Sequence, residues 1–158
     1  MTIIFENQYC VGDTVTINGF KGEVVYLSMK STRIKAANGE VLILANRMIT
    51  EIINHTIENS LAIVDLNVAY NTDLDKLEKI IKDACNTLSK KIENIVGEIN
   101  CAGVQSLNES SITFRITAIT KPLENYQIER ILRKEFKKIL DDNKIEIPFP
   151  KMVVRNEK

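Results

Sequence analysis

Three cysteines, one histidine and two close pairs of aspartates are the residues of this 158-residue chain whose types could do chemistry. Cys10, Cys85 and Cys101 could ligate a metal, form a redox pair or supply a nucleophile. Their number is odd and no two are near in sequence, so neither a disulfide framework nor a CxxC metal knuckle is available. They read as buried, reduced thiols of a cytosolic compartment. His55, between Asn54 and Thr56, lacks the converging ligands a zinc site requires and reads as a solvent-exposed linker residue. Asp73 with Asp75, and Asp141 with Asp142, could share a proton in acid–base work. Both pairs fall at expected helix ends, where capping and solvation account for them. No GxGxxG, P-loop or Ser-His-Asp arrangement occurs. No catalytic, cofactor-binding or metal-binding residue is therefore assigned, no cofactor is expected, and the chain does not read as an enzyme.

The composition, 44% hydrophobic and 27% charged, is that of a globular protein. At this length about 68–70% of the unfolded surface can be buried, so disulfides are not needed to hold it. Lys and Arg number 21 against 21 Asp and Glu. A zero balance gives no electrostatic reason to expect nucleic acid or an anionic membrane as partner. A spanning helix needs about 20 mostly apolar residues. The longest apolar candidate, Leu61–Leu66, meets Asp65 too soon, and Met1–Phe5 has no signal-peptide features. The chain as given is expected to be soluble.

The elements divide into two blocks. In the first, Asp13–Ile17, Glu23–Leu27, Ser31–Ala36, Glu40–Leu44 and Glu51–Asn54 alternate in period two, as half-buried strands do. Asn18-Gly19 and Asn38-Gly39 accept the positive φ values of type I′ turns and are expected to close tight hairpins. Five short strands in this space imply a small, strongly bent sheet or barrel, which removes exposed edges.

The second block changes period. Leu61–Tyr70 reads as a strand, Thr72 or Asp73 as an N-cap, and Leu74, Leu77, Ile80, Ile81, Ala84, Leu88 and Ile92 as the apolar stripe of a helix. Strands are expected at Glu98–Ala102 and Ser111–Ala118. A second helix from about Glu124 to Leu140 follows Pro122, and a last strand is expected near Met152–Val154. The order β-α-β-β-α-β is the split βαβ, or ferredoxin-like, pattern. Ile147-Pro148-Phe149-Pro150 fixes an extended path before that strand. It is a plain connector, or a rigid arm carrying Lys151–Arg155 away to pair elsewhere.

Sheets of both kinds bind RNA in other proteins, but RNA-recognition sheets expose two or three stacking aromatics. The matching strand here offers only Phe114, on the face of Ile112 and Ile116, where it is expected to be core. An acylphosphatase-like enzyme would rest on fold analogy alone, without a glycine-rich phosphate cradle.

Phe5-Glu6-Asn7-Gln8-Tyr9, Val11-Gly12-Asp13-Thr14-Val15, Gly19-Phe20-Lys21-Gly22-Glu23-Val24 and Ser31-Thr32-Arg33-Ile34 follow one another in a distinctive order. So do Asn38–Ile49, Ile53-Asn54, Val68–Asp73 and Ile147-Pro148-Phe149-Pro150. Over essentially its whole length the sequence resembles the small-conductance mechanosensitive (MscS-type) channels. The resemblance implies an α+β chain. Residues 1–10 would end a pore helix that is missing here, and 11–57 would form an Sm-like five-stranded β domain. Residues 58–147 would be a ferredoxin-like α/β domain, and 148–158 an arm and strand for an intersubunit barrel. It implies self-association as a homoheptamer at the cytoplasmic face of the membrane, attached through upstream helices that in the family precede the counterparts of Ile3-Ile4-Phe5. Ions and small solutes would permeate under membrane tension, with no nucleic acid involved. Assembly would fall to Pro148, Phe149, Pro150, Met152, Val153 and Val154, and the collar turns to Gly12, Asp13, Asn18, Gly19, Gly22, Asn38, Gly39 and Asn46. One departure is Ala45, where the family usually has proline, which affects the local turn and not the fold. The other reading is a free-standing binding module, for RNA or a small ligand, built from the same two domains.

Overall fold

The computed structural model describes residues 8–152 and 154, which divide into two compact units between Asn59 and Ser60. In the first unit, β1 (Thr14–Ile17), β2 (Phe20–Leu27), β3 (Ser31–Lys35), β4 (Val41–Ala45) and β5 (Ile52–Asn54) form one antiparallel sheet in the order β4-β3-β2-β1-β5. A short 3-10 helix, Asn46–Met48, separates β4 from β5. Period-two alternation turns Val15, Ile17, Val24 and Ile34 inward, and Tyr9 joins them in the core. A register shift between Val24 and Tyr26 inserts an extra residue into β2, which bends that strand. The sheet is nevertheless not closed among the described residues. β4 and β5 are not paired with each other, so each leaves a free edge.

The two Asn-Gly steps differ. Asn18 (φ 48°) and Gly19 (φ 84°) both lie in the left-handed region and close β1 onto β2 through the pair Ile17–Phe20, the expected type I′ hairpin. At the second step only Gly39 has positive φ (92°). The Gly39 amide donates to the Ala36 carbonyl at 3.0 Å and the Ala36 amide to the Glu40 carbonyl at 2.8 Å. The tight two-residue turn expected there is thus a three-residue loop ending in a left-handed glycine, because Ala37 joins it. Gly22 answers a different need. A Cβ there would lie 2.5 Å from the Lys35 carbonyl oxygen, so β2 and β3 can approach only over a glycine.

In the second unit, β6 (Ser60–Val68), α1 (Leu74–Lys91), β7 (Asn100–Leu107), β8 (Ile112–Thr120) and α2 (Asn125–Asp142) follow in order, and the sheet runs β6-β8-β7. The β6–β8 ladder is unbroken from Ser60–Thr120 to Val68–Ile112. Its inward residues Val64, Leu66, Phe114 and Ile116 meet Leu77 and Ile81 of α1 and Ile128, Leu132 and Phe136 of α2 in one cluster. Each such side chain contributes about 1.5–3 kcal/mol on burial, so the cluster and not the solvated Glu78–Lys82 or Lys137–Asp141 pairs on the helix surfaces holds the unit. Asp73 caps α1, its carboxylate accepting from the amides of Asp75 and Lys76 at 3.1 and 3.2 Å. β7 runs longer than the expected Glu98–Ala102, with register shifts beside Gly103 and Val104 that absorb its irregular sequence.

The strand expected near Met152–Val154 is not part of this sheet. Lys151, Met152 and Val154 form no strand, and Val153 lies outside the described residues, as do Ile3, Ile4 and Phe5. The observed order is therefore β-α-β-β-α. Along the outer edge of β6 the Ile63 amide donates to a carboxylate oxygen of Glu129 on α2, at 3.1 Å, in place of a neighbouring strand.

Candidate assembly site

Two of the turns expected to form a collar are each fastened by side-chain hydrogen bonds. Asn18 donates from Nδ2 to the Met48 carbonyl at 2.8 Å, and its Oδ1 accepts from the amide and hydroxyl of Thr50 at 3.1 and 3.0 Å. Asp13 closes the Cys10–Asp13 turn, in which Gly12 has φ 98°, by accepting from the Cys10 amide and from Asn54 Nδ2, both at 3.0 Å. Asn38 and Gly39 stand apart, at the far end of the β3–β4 hairpin.

Asn46 is the centre of a buried chain. It is 2% exposed, and Thr32 beside it is fully buried. The Thr32 hydroxyl donates to Asn46 Oδ1 at 2.7 Å, Asn46 Nδ2 donates to the Ser28 carbonyl at 2.8 Å, and the Asn46 amide donates to the Lys30 carbonyl at 2.9 Å. Since the single Thr32 proton is committed to Asn46, the Tyr9 hydroxyl must donate to Thr32 Oγ1, 2.8 Å away. Asn46 was legible from the sequence as a turn residue; Tyr9 and Thr32 as its partners were not. A tyrosine three residues ahead of the Gly12-Asp13 turn is the only signal, and it does not say what the hydroxyl meets.

Ala45 holds φ −72° and ψ 136°, inside the window that a proline ring imposes. Because the Asn46 amide bonds the Lys30 carbonyl, Ser31 and Ala45 oppose each other without mutual hydrogen bonds, and the Ala45 N–H points off the free edge of β4. Ala45→Pro is expected to stabilise the β unit by about 0.4–1 kcal/mol, through a less flexible unfolded chain. Urea denaturation measures it, and a lowered midpoint would show that the N–H is in use.

The arm leaves α2 along the end of the second sheet. The Glu146 carbonyl accepts from the Ala69 amide at 3.2 Å, and the Lys151 amide reaches Ser110 Oγ at 3.4 Å. Between and beyond these points Phe149 is 81% exposed, Met152 89% and Val154 74%. Pro148 is half-buried and Pro150 exposed. Phe149, Met152 and Val154 of the arm are thus presented to solvent, whereas the turn residues above lie in the other unit.

The residues considered for chemistry go elsewhere. His55 is not the free linker residue expected. It is half-buried, its Nε2 lies 2.9 Å from the Thr16 hydroxyl, and burial and then the Lys21 charge lower its pKa. Of the three cysteines expected to be buried only Cys85 is, while Cys10 is exposed and Cys101 half-buried. Burial together with Cys101 pushes the Cys85 thiol up to about 12, so it stays protonated and inert. Phe114, the aromatic that an RNA-stacking sheet would display, is 1% exposed. On the open sheet face the Arg115 guanidinium grips Asp65 with two bonds of 2.8 and 2.9 Å and holds its carboxyl below the usual range. Among the described residues no three His, Cys, Asp or Glu gather as metal ligands, and no helix is long and apolar enough to cross a membrane.

Residues 1–57 match the family model described as the mechanosensitive ion channel beta-domain, and residues 62–147 match that of the mechanosensitive ion channel MscS C-terminal region. A small-conductance mechanosensitive channel of Caldanaerobacter subterraneus is 29% identical over 152 residues, covering 96% of this chain and 54% of the relative. One from Helicobacter pylori is 29% identical over 157 residues, covering 95% and 55%. Those relatives are about twice as long as the part this chain matches. The crystal structure of Helicobacter pylori MscS in its closed state superposes with a TM-score of 0.83 at 27% identity, over 99% of this chain and 62% of that one. Arabidopsis thaliana MSL1, at 13% identity and a TM-score of 0.72, shares the fold.

Proposed function

Because this chain belongs to the MscS family of mechanosensitive channels, we propose that it forms the cytoplasmic vestibule of a channel that opens under membrane tension and releases ions and small solutes in osmotic downshock. The family is one of ion channels, not enzymes. The observation that carries the proposal is the match of both family models, in order, across the two compact units. The chain spans about half the length of the curated relatives named above, and the other half would supply the helices that cross the bilayer.

Self-assembly into a ring, a heptamer by the family resemblance, suits the free edges of the β unit. β4 and β5 are different strands at opposite ends of one sheet, so β4 of one copy pairing with β5 of the next makes a heterologous contact that closes by rotation. Val41 and Ile43 on β4 and Ile53 on β5 are exposed at those edges. The arm would add a second ring contact, and the collar would mount the pore above it.

A chimaera tests the reading: this chain in place of the matching half of the Helicobacter pylori channel, expressed in bacteria that lack their own mechanosensitive channels. Tension-activated currents in patches and survival of osmotic downshock are expected. A chimaera that reaches the membrane as a ring yet gives neither would overturn it.

A further inference from the structure

The neutrality of the whole chain hides a local imbalance. Between Glu23 and Glu51, which bound it, the sequence holds four cations, Lys30, Arg33, Lys35 and Arg47, against one acid, Glu40. The fold then separates that acid from three of them. Glu40 belongs to the turn beside the Lys35–Val41 end of the β3–β4 ladder, whereas Lys30 and Arg47 flank the Ser31–Ala45 end.

At this second end two segments are locked side by side. The Asn46 amide and side chain donate to the carbonyls of Lys30 and Ser28, which fastens the Asn46–Met48 helix to the Ser28–Ser31 turn. The turn is itself rigid: Ser28 Oγ accepts from the amides of Lys30 and Ser31 at 3.3 and 3.1 Å, and the Ser28 amide donates to the Ser31 carbonyl at 2.9 Å. What this frame presents is apolar and cationic together. Met29 is 72% exposed and Met48 62%. The Lys30 and Arg47 side chains have no partner among the described residues. Next along β3, the Arg33 guanidinium stacks 4.8 Å over the ring of Tyr26, itself 45% exposed. Unbranched apolar chains beside unpaired cations and a tyrosine make the mixture that settles at a lipid headgroup layer, with methionine below the phosphates and ammonium or guanidinium among them.

We propose that the Ser28–Ser31 turn and the Asn46–Met48 helix form a docking tip for the anionic surface of a lipid bilayer, with Lys30 and Arg47 meeting headgroup phosphates and Met29 and Met48 entering the acyl boundary. A polyanion in solution such as RNA would satisfy the cations and leave both methionines in water, so the bilayer is the better fit. Because the frame is already held by its own hydrogen bonds, little ordering is lost on docking. A single copy gains about fivefold in partition for each cation near an anionic surface, and a ring of copies multiplies that. The inference stands on the tip and not on gating: a chimaera that fails to conduct would leave it intact.

The test is sedimentation of the full chain with vesicles of phosphatidylcholine alone and of phosphatidylcholine mixed equally with phosphatidylglycerol. Binding is expected to the mixed vesicles only, and to weaken as salt rises. Lys30→Glu with Arg47→Glu should reduce it about 25-fold or more. Met29→Ser with Met48→Ser should weaken it without changing its salt dependence. All four positions are exposed, and amide NMR spectra will show each variant folded. Equal binding to both vesicles, no binding to either, or binding unchanged in the charge variant would overturn the proposal. So would single-stranded RNA competing fully for the tip while the methionine variant behaves as wild type.

Discussion

Asn46→Ala is expected to destabilise the β unit by about 2–4 kcal/mol. The side chain accepts the Thr32 proton in a place closed to solvent and donates to the carbonyl of half-buried Ser28. Removing it strands both, and each unsatisfied buried group costs about 1–3 kcal/mol. Thr32 cannot escape by turning to Tyr9, because the Tyr9 hydroxyl would then hold a proton with no acceptor. Tyr9→Phe removes only the head of the chain and should cost about 1 kcal/mol. The pair of variants separates the network from simple packing loss. Urea unfolding followed by methyl NMR of Ile17 and Ile34, with Ile116 as the internal reference in the second unit, measures both. An Asn46→Ala shift below that of Tyr9→Phe would show that water has replaced the amide in the chain.

The same residue shows how far the sequence could be read. Strands and helices were legible because periodicity is a property of the chain alone. Leu77, Ile81, Ile128, Leu132 and Phe136 keep helical spacing, and all five are buried in one cluster. Asn18-Gly19 behaved as its type dictates because the two residues that set the turn are adjacent. Asn38-Gly39 did not, since the ladder ends one residue earlier and Ala37 enters the loop; register is decided across strands, not along one. The short strands left a strongly bent sheet and a barrel both open; among the described residues it is the sheet, since β4 and β5 do not pair with each other. Long-range polar contacts were the least legible. Tyr9 to Thr32 spans 23 positions and Ile63 to Glu129 spans 66, and no local pattern marks either. Net charge misled for a related reason: it sums over the chain, whereas the fold puts Lys30 and Arg47 together and Glu40 elsewhere.

Deleting Lys151–Lys158 is expected to break the proposed ring into smaller species. Ile147, Phe149, Met152 and Val154 are all apolar and exposed, Phe149 and Met152 by more than four-fifths of their surface. A chain does not gain by holding such side chains in water, and spacing of two within each pair, 147 with 149 and 152 with 154, suits a strand seeking partners. Pro148 and Pro150 remove two amide donors from the approach and favour an extended path, so regular pairing would begin beyond them. Among the described residues the arm's hydrogen bonds to its own unit are slight: one amide–carbonyl bond at Glu146 and a 3.4 Å contact at Ser110. Burying Phe149 and Met152 in a neighbour would contribute about 3–6 kcal/mol per copy, on the order of a hundredfold or more in association. Phe149→Ser with Met152→Ser should also break the assembly, without shortening the chain. Neither change touches the buried cluster of the second unit, so loss of assembly would not reflect unfolding. Light scattering of the wild type and both variants decides it, and an unchanged mass would assign assembly to the free edges of β4 and β5 alone.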